Sequence, residues 1–383
     1  MFRKKIVSGV LFTSVSILLG GVFTGQTFAQ QKPPIDALEG LDPVMLTRGK
    51  EVQGEMDITV KRGQFRYMFA NAETKAAFEQ DPTRYEIQLN GACARMGAPT
   101  YGSPDLYSVF EGRIYIFGSG ECKKRFDASP EKFLESKGES KTKIAFTPEA
   151  LKSGQALIEK AVAAMGGAAR IDGATSYQEK SASLQSRRDN DVEIKTELKI
   201  LFPDRIRMDR SMPDYNDASV TRRMALVIIP GEAFGVAQSA VQPMNDVARI
   251  EQEKEIRRRP LSILRSRMNL KPVAIGPSRI GEMAVEQVAV EIDQTSYTLG
   301  LDPSTGRLMS LSYRRHGPDG VVGQLVQVYS DFRSVEGLTL PFKITATIDG
   351  QPWKDQSSTI EAITINGTVD RSLFEKPQTT KPQ

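Results

Sequence analysis

Two stretches of the chain repeat each other at one fixed offset, which constrains the first third more tightly than composition does. Tyr67, Phe69, Glu73, Lys75, Phe78, Pro82 and Tyr85 correspond to Tyr115, Phe117, Glu121, Lys123, Phe126, Pro130 and Phe133, each 48 residues on and without a gap. Each copy reads as a tight Gly turn, an aromatic strand, a break, and a short amphipathic helix closed by Pro. Self-similarity of this kind marks a duplicated strand–turn–helix unit. The aromatic residues of both strands are expected in the cores of the two units rather than on a ligand platform.

The N-terminus carries an address. Arg3, Lys4 and Lys5 precede an apolar run from Ile6 to about Phe23, and Thr27-Phe28-Ala29 offers a small-residue cleavage site before Gln30. That is the layout of a secretory signal peptide over residues 1–29, cleaved after Ala29. The mature protein is expected to be exported, periplasmic or secreted. The net charge of +4 over 383 residues gives no reason to expect nucleic acid as a partner. An oxidising compartment favours a disulfide between the two cysteines, Cys93 and Cys122; a reactive thiol or a two-thiolate metal site is the alternative.

Residues 30–39, rich in Gln and Pro, read as a disordered lead. Residues 136–147 are a charged linker. Thr147-Pro148-Glu149 starts a helix through Met165, with Leu151, Leu157, Ile158, Ala161 and Val162 on one face. A second helical stretch, about Pro243–Met268, is broken by Pro260. Its Arg257-Arg258-Arg259 reads as a solvated face rather than a lipid-headgroup contact. Between and after these helices, short strands with tight turns recur from Thr175 to Ile365. They argue for one large antiparallel sheet curved around one or two helices.

No Ser-His-Asp or Cys-His arrangement is present. His316, the one histidine, lies in Arg315-His316-Gly317-Pro318 and reads as a solvated turn residue. Asp302-Pro303-Ser304-Thr305-Gly306 reads as a hairpin turn rather than a metal loop.

Two family resemblances sit on these residues. Asp42-Pro43-Val44, Gly49-Lys50, the aromatic strand and helix, Asp81-Pro82, Tyr85 and Gly91-x-Cys93-Ala94 resemble the YHS domain in its exported variant. The second copy is also similar to the small metal-binding TRASH pattern. Cys93 matches that pattern's leading Cys and Cys122 its last, whereas the middle Cys falls on Gly118; Ala70 and Thr74 occupy the corresponding positions of the first copy. Two thiols fall short of the four ligands of a zinc site. Met96, Asp105 or Glu121 could complete one, and a soft ion such as Cu(I) tolerates two thiolates. Residues 148–378 resemble the LolA/LolB-like lipoprotein-sorting superfamily. Met165-Gly166-Gly167, Phe202-Pro203-Asp204-Arg205, Leu301-Asp302-Pro303-Ser304-Thr305-Gly306, Tyr329-Ser330-Asp331-Phe332, Leu340-Pro341 and Phe374-Glu375-Lys376-Pro377 carry that resemblance in order. It implies a half-barrel whose apolar cavity, under a helical lid, holds acyl chains.

The expected protein is therefore α+β: a duplicated YHS-like module over 38–135, then a large curved antiparallel half-barrel with a helical lid over 148–378. It is expected to be a non-enzymatic carrier of a hydrophobic ligand, such as a lipid or a lipoprotein acyl group, with a periplasmic or outer-membrane partner. No cofactor is implied. The alternative is a metal-handling protein that binds a soft ion, Cu or Zn, through Cys93 and Cys122.

Overall fold

The computed structural model describes residues 33–134, 146–186, 190–214, 217–237, 240–293 and 295–377. The expected signal peptide and most of the expected linker lie outside the described residues.

The repeat is present element for element. Strands β2 (Glu55–Arg62) and β3 (Phe65–Phe69) form a hairpin, followed by α2 (Ala72–Gln80) and α3 (Pro82–Tyr85). The second copy is β4 (Ser103–Phe110), β5 (Arg113–Phe117), α4 (Gly120–Ala128) and a 3-10 turn at Pro130–Lys132, every element starting 48 residues later. Even the bulges correspond, between Glu55 and Thr59 and between Ser103 and Tyr107. Asn71 and Ser119 cap α2 and α4 through their side-chain oxygens. Tyr67, Phe69, Tyr115, Phe117, Phe78 and Phe126 are all buried, so the aromatic positions are core. The expected disordered lead is structured from Pro34 on. β1 (Ile35–Asp36) pairs in parallel with β3, and Ala37 and Leu38 enter the core. An apolar pair just beyond the Pro-rich stretch won over its composition. α1 (Pro43–Thr47) lies between β1 and β2.

The rest is one antiparallel sheet of fourteen strands. α5 (Pro148–Ala164), capped by Thr147, and α6 (Ala168–Asp172) lead into β6 (Ser176–Ser186), β7 (Asp191–Leu201), β8 (Arg205–Pro213), β9 (Thr221–Ile229), β10 (Glu232–Ala237) and β11 (Ala240–Pro243). α7 (Asp246–Arg257) and α8 (Pro260–Arg265) follow, divided at Pro260 as the sequence indicates. Then come β12 (Val273–Ile280), β13 (Met283–Ile292), β14 (Thr295–Leu301), β15 (Leu308–His316), β16 (Val322–Val335), β17 (Leu338–Ile348), β18 (Gln351–Pro352) and β19 (Ser358–Ile365). β19 closes the sequence back against β6, so the order is 11-10-9-8-7-6-19-17-16-15-14-13-12, with β18 on β17. The Asp302 turn is a side-chain-capped hairpin connection, its carboxylate accepting from the Ser304 and Thr305 N–H groups.

The sheet has to bend. β9 and β14 are eight places apart in the order, roughly 38 Å in a flat sheet at about 4.8 Å per strand. Yet α7, twelve residues and about 18 Å long, faces both. Its residues Arg249, Glu253 and Ile256 share a cleft with Ile228–Glu232, while Lys254 donates to Thr295 at 3.1 Å and Arg257 pairs with Asp293 at 2.5 Å. A single apolar core joins α5, α7 and α8 to strands from both arms of the sheet. α5 packs tightly on β12. A Cβ on Gly154 would lie 2.3 Å from the Pro272 carbonyl oxygen, so the helix needs glycine there despite its poor helix propensity.

Candidate functional site

Pairing register lays the inward side chains of β19, β6, β7, β8 and β9 in rows. The first row is Ile365–Tyr177–Ile200–Ile206–Ile228. The second is Ile363–Glu179–Leu198–Met208–Leu226, and the third Ile360–Ser181–Thr196–Arg210–Met224. Because side chains alternate along a strand, each row is two residues from the next on β6, β7, β8 and β9; on β19 a bulge between Ile360 and Ala362 makes the last step three residues. The concave face thus grades from apolar to polar along the strands.

The helical segment covers this gradient in register. α8 lays Leu261, Ile263 and Leu264, all buried, over the apolar rows. Beneath it a slot lined by Tyr177, Ile200, Leu340, Ile344 and Ile360 has about 20 Å³ free, room for about one water. The apolar cavity implied by the sequence resemblance is therefore closed, filled by α8. On one side the slot meets a cleft of about 560 Å³, sharing Ile200, Phe202 and Ser262 with it. On the other, through Arg259, Pro260 and Ile344, it meets a polar cavity of about 280 Å³.

Charged residues hold α8 in place. Glu179, whose side chain is 1 % exposed, accepts a 2.5 Å hydrogen bond from the Tyr177 hydroxyl and an ion pair from Arg259, the residue that caps α8. Arg258 bonds Glu251 at 3.0 Å and Glu255 at 3.2 Å, donates to the Tyr297 hydroxyl, and lies 4.4 Å from the centre of the Tyr313 ring. Burial alone would raise Glu255, but Arg258 and Arg315 outweigh it and keep the carboxyl below its ordinary range. At the far end, Arg265 donates to the Ile171 and Asp172 carbonyls, and Arg267 grips the Asp172 carboxylate with two 2.7 Å bonds. The Arg257–Arg259 run is thus not a solvated face: Arg257 is exposed, whereas Arg258 and Arg259 turn inward. The helix ends between Arg257 and Pro260, and a three-residue run on a closing turn cannot keep one side.

The cysteines lie in the second repeat. Both are free thiols in this structure, Cys93 buried and Cys122 partly buried, so the expected disulfide is not formed. Among the described residues no group of three His, Cys, Asp or Glu side chains is gathered as a metal site. The first repeat explains what Cys93 is. Asp42 accepts from the N–H groups of Val44, Met45 and Ala70 at 2.8, 3.1 and 2.8 Å. The Cys93 sulfur faces the N–H groups of Arg95, Met96 and Gly118, the counterparts 51, 51 and 48 residues on. The backbone agrees, since Asp42 N–H donates to Val52 O and Cys93 N–H to Thr100 O. Cys93 therefore stands where the first repeat has a buried carboxylate. Burial pushes the Cys93 thiol up; the three N–H groups pull the other way, and the nearby Cys122 adds to the rise.

His316 is not a solvated turn residue. It ends β15, half-buried, and its Nε2 lies 2.9 Å from the Phe133 carbonyl oxygen and 3.3 Å from that of Ala94. Two acceptors around one nitrogen require Nε2 to carry the proton. A Cβ on Gly97, at φ +71°, would strike the imidazole at 2.3 Å. Arg95 adds a 2.8 Å bond to the Asp319 carbonyl. The sole histidine therefore joins the Cys93 loop to the large sheet, a contact that no local sequence pattern signals.

No family model matches this chain, and no curated protein matches it. Among solved structures, it is similar to an outer membrane lipoprotein-sorting protein domain from Vibrio parahaemolyticus, at 7% identity over 59% of this chain and 97% of that one, with a TM-score of 0.37. A LolA superfamily protein from Nitrosomonas europaea gives 13%, 58%, 97% and 0.38 in the same order. A DUF1329 family protein from Desulfovibrio piger gives 11%, 59%, 97% and 0.36. These are distant likenesses, and the functional reading rests on the concave face itself.

Proposed function

We propose that the chain is an exported, non-enzymatic binding protein that carries an acyl chain or similar hydrophobic group on the concave face of its sheet, with α8 as the lid. The observation that carries this reading is the position of α8. It is a six-residue helix that fills an apolar trough between two existing voids, held by ion pairs at one end and by Arg265 and Arg267 at the other. Lifting it joins voids of about 560 and 280 Å³ through an apolar floor, within the roughly 300–1,000 Å³ of small-molecule sites. The residues exposed by that movement, Tyr177, Ile200, Leu340, Ile344 and Ile360, are ones an acyl chain would cover. The signal-like N-terminus supports export, where such a carrier would meet a periplasmic or outer-membrane partner.

The test is titration of the full mature chain with a fluorescent long-chain acyl probe. Saturable binding that palmitate competes away, and that Ile344→Glu weakens at least tenfold, is the expected result. Absence of binding, both in wild type and in an Arg267→Met variant that frees the far end of α8, would refute the carrier reading.

A further inference from the structure

The polar cavity behind α8 gathers four arginines, Arg258 buried and the others partly buried, and leaves one of them without an ion-pair partner among the described residues. Arg210, Arg258, Arg259 and Arg315 line it or reach it, against Glu179, Glu251 and Glu255; Asp355 is exposed at its rim. Arg258 pairs with Glu251 and Glu255, Arg315 stands 3.9 and 4.0 Å from the same two carboxylates, and Arg259 takes Glu179. Arg210 is the one left over. It follows Ile206 and Met208 on the inward side of β8, and no acidic side chain among the described residues forms an ion pair with it. Desolvation is the largest influence on its guanidinium, lowering its proton affinity, with Glu255 opposing from a distance. A partly buried cation with no ion-pair partner in contact is held at a cost that a bound counter-charge would relieve.

Two more atoms point the same way. Arg259 Nε and Gln252 Oε1 are buried without a hydrogen-bond partner, and both residues line this cavity. One is a donor and the other an acceptor. Ser181, Ser183 and Thr196 hydroxyls complete the wall. About 280 Å³ of space is left among these groups.

We propose that this cavity is an oxyanion site: Arg210 and Arg259 Nε hold an anionic oxygen group, carboxylate or phosphate, and Gln252 Oε1 receives a hydroxyl or N–H of the same ligand. The inference rests on the carrier reading, because the anion is then the head of an amphiphile whose chain lies over the apolar rows once α8 moves. It narrows the ligand from hydrophobic to anionic amphiphilic. The gradient along the rows matches such a molecule end to end, with Ile206 and Met208 under the chain and Arg210 under the head.

The experiment compares palmitate, methyl palmitate and inorganic phosphate as competitors on the full chain, in wild type, Arg210→Met and Arg210→Lys. Palmitate should bind at least tenfold tighter than its uncharged ester. Arg210→Met should bring that ratio close to one while leaving the ester unchanged, and Arg210→Lys should restore part of it. Equal affinity for acid and ester in wild type, or a preference that survives Arg210→Met, would overturn the oxyanion site and leave the carrier reading standing. Arg210-dependent binding of phosphate with no binding of either acyl compound would do the reverse. Failure of all three ligands would overturn both.

Discussion

The latch on α8 gives the sharpest quantitative expectation. Arg259→Met removes the cation and leaves Glu179, 1 % exposed, with only the Tyr177 hydroxyl for company. Breaking a buried pair from one side costs about 3–5 kcal/mol. The Arg259 side chain is 21 % exposed, so the lower end, about 3 kcal/mol, is the better figure. The loss should fall on the helix rather than on the whole chain, because α8 is short and its removal leaves every strand pairing intact. Hydrogen exchange of the α8 amides reads it directly, since at about 1.4 kcal/mol per decade the expected acceleration is roughly a hundredfold. The double variant Glu179→Leu/Arg259→Met supplies the sign check. Replacing both charges with apolar groups of similar size is neutral or stabilising for buried pairs, so protection should return to within tenfold of wild type. Unchanged exchange in Arg259→Met, or a double variant as exposed as the single one, would refute the latch.

Two further outcomes test the other joints. Asp42→Ala removes the acceptor of three backbone N–H groups, one of them the Ala70 N–H outside α1, and should destabilise the first repeat by about 2–4 kcal/mol by urea unfolding; Cys93→Ser, whose hydroxyl can still accept, should cost less than half of that. His316 has its proton affinity lowered, by burial first, with the Ala94 and Phe133 carbonyls opposing. Its neutral form is thus the one the fold selects, so its contribution is fully present above the ordinary value near 6.5 and is lost as pH falls from there through its lowered folded-state value. Exchange around Ala94–Gly97 should rise below about pH 6.5, and His316→Gln should remove that pH dependence.

Local pattern was enough for much of this protein. The 48-residue repeat determined two hairpin–helix units, because matched turns, caps and aromatic positions leave each copy the same choices. Thr147-Pro148 began α5 and Pro260 divided α7 from α8, both through the missing proline N–H. Alternation with tight turns marks most of the sheet strands, while Pro243, Gly276 and Pro277 mask the period of β11 and β12. What depended on distant residues could not be read this way. Whether Arg258 and Arg259 face water or a cavity depends on where the helix ends over the sheet. His316 is half-buried only because a loop more than 200 residues earlier folds onto it. The likeness of Cys93 to Asp42 is invisible at the main offset, since three fewer residues separate Cys93 from its hairpin. The gradient of the concave face, from Ile206 through Met208 to Arg210, lies plainly in one strand. Its meaning appears only when register sets those residues beside Tyr177, Glu179 and Ser181 and bends the sheet around α8, because charge inside a fold is compensated by neighbours in space and not in sequence.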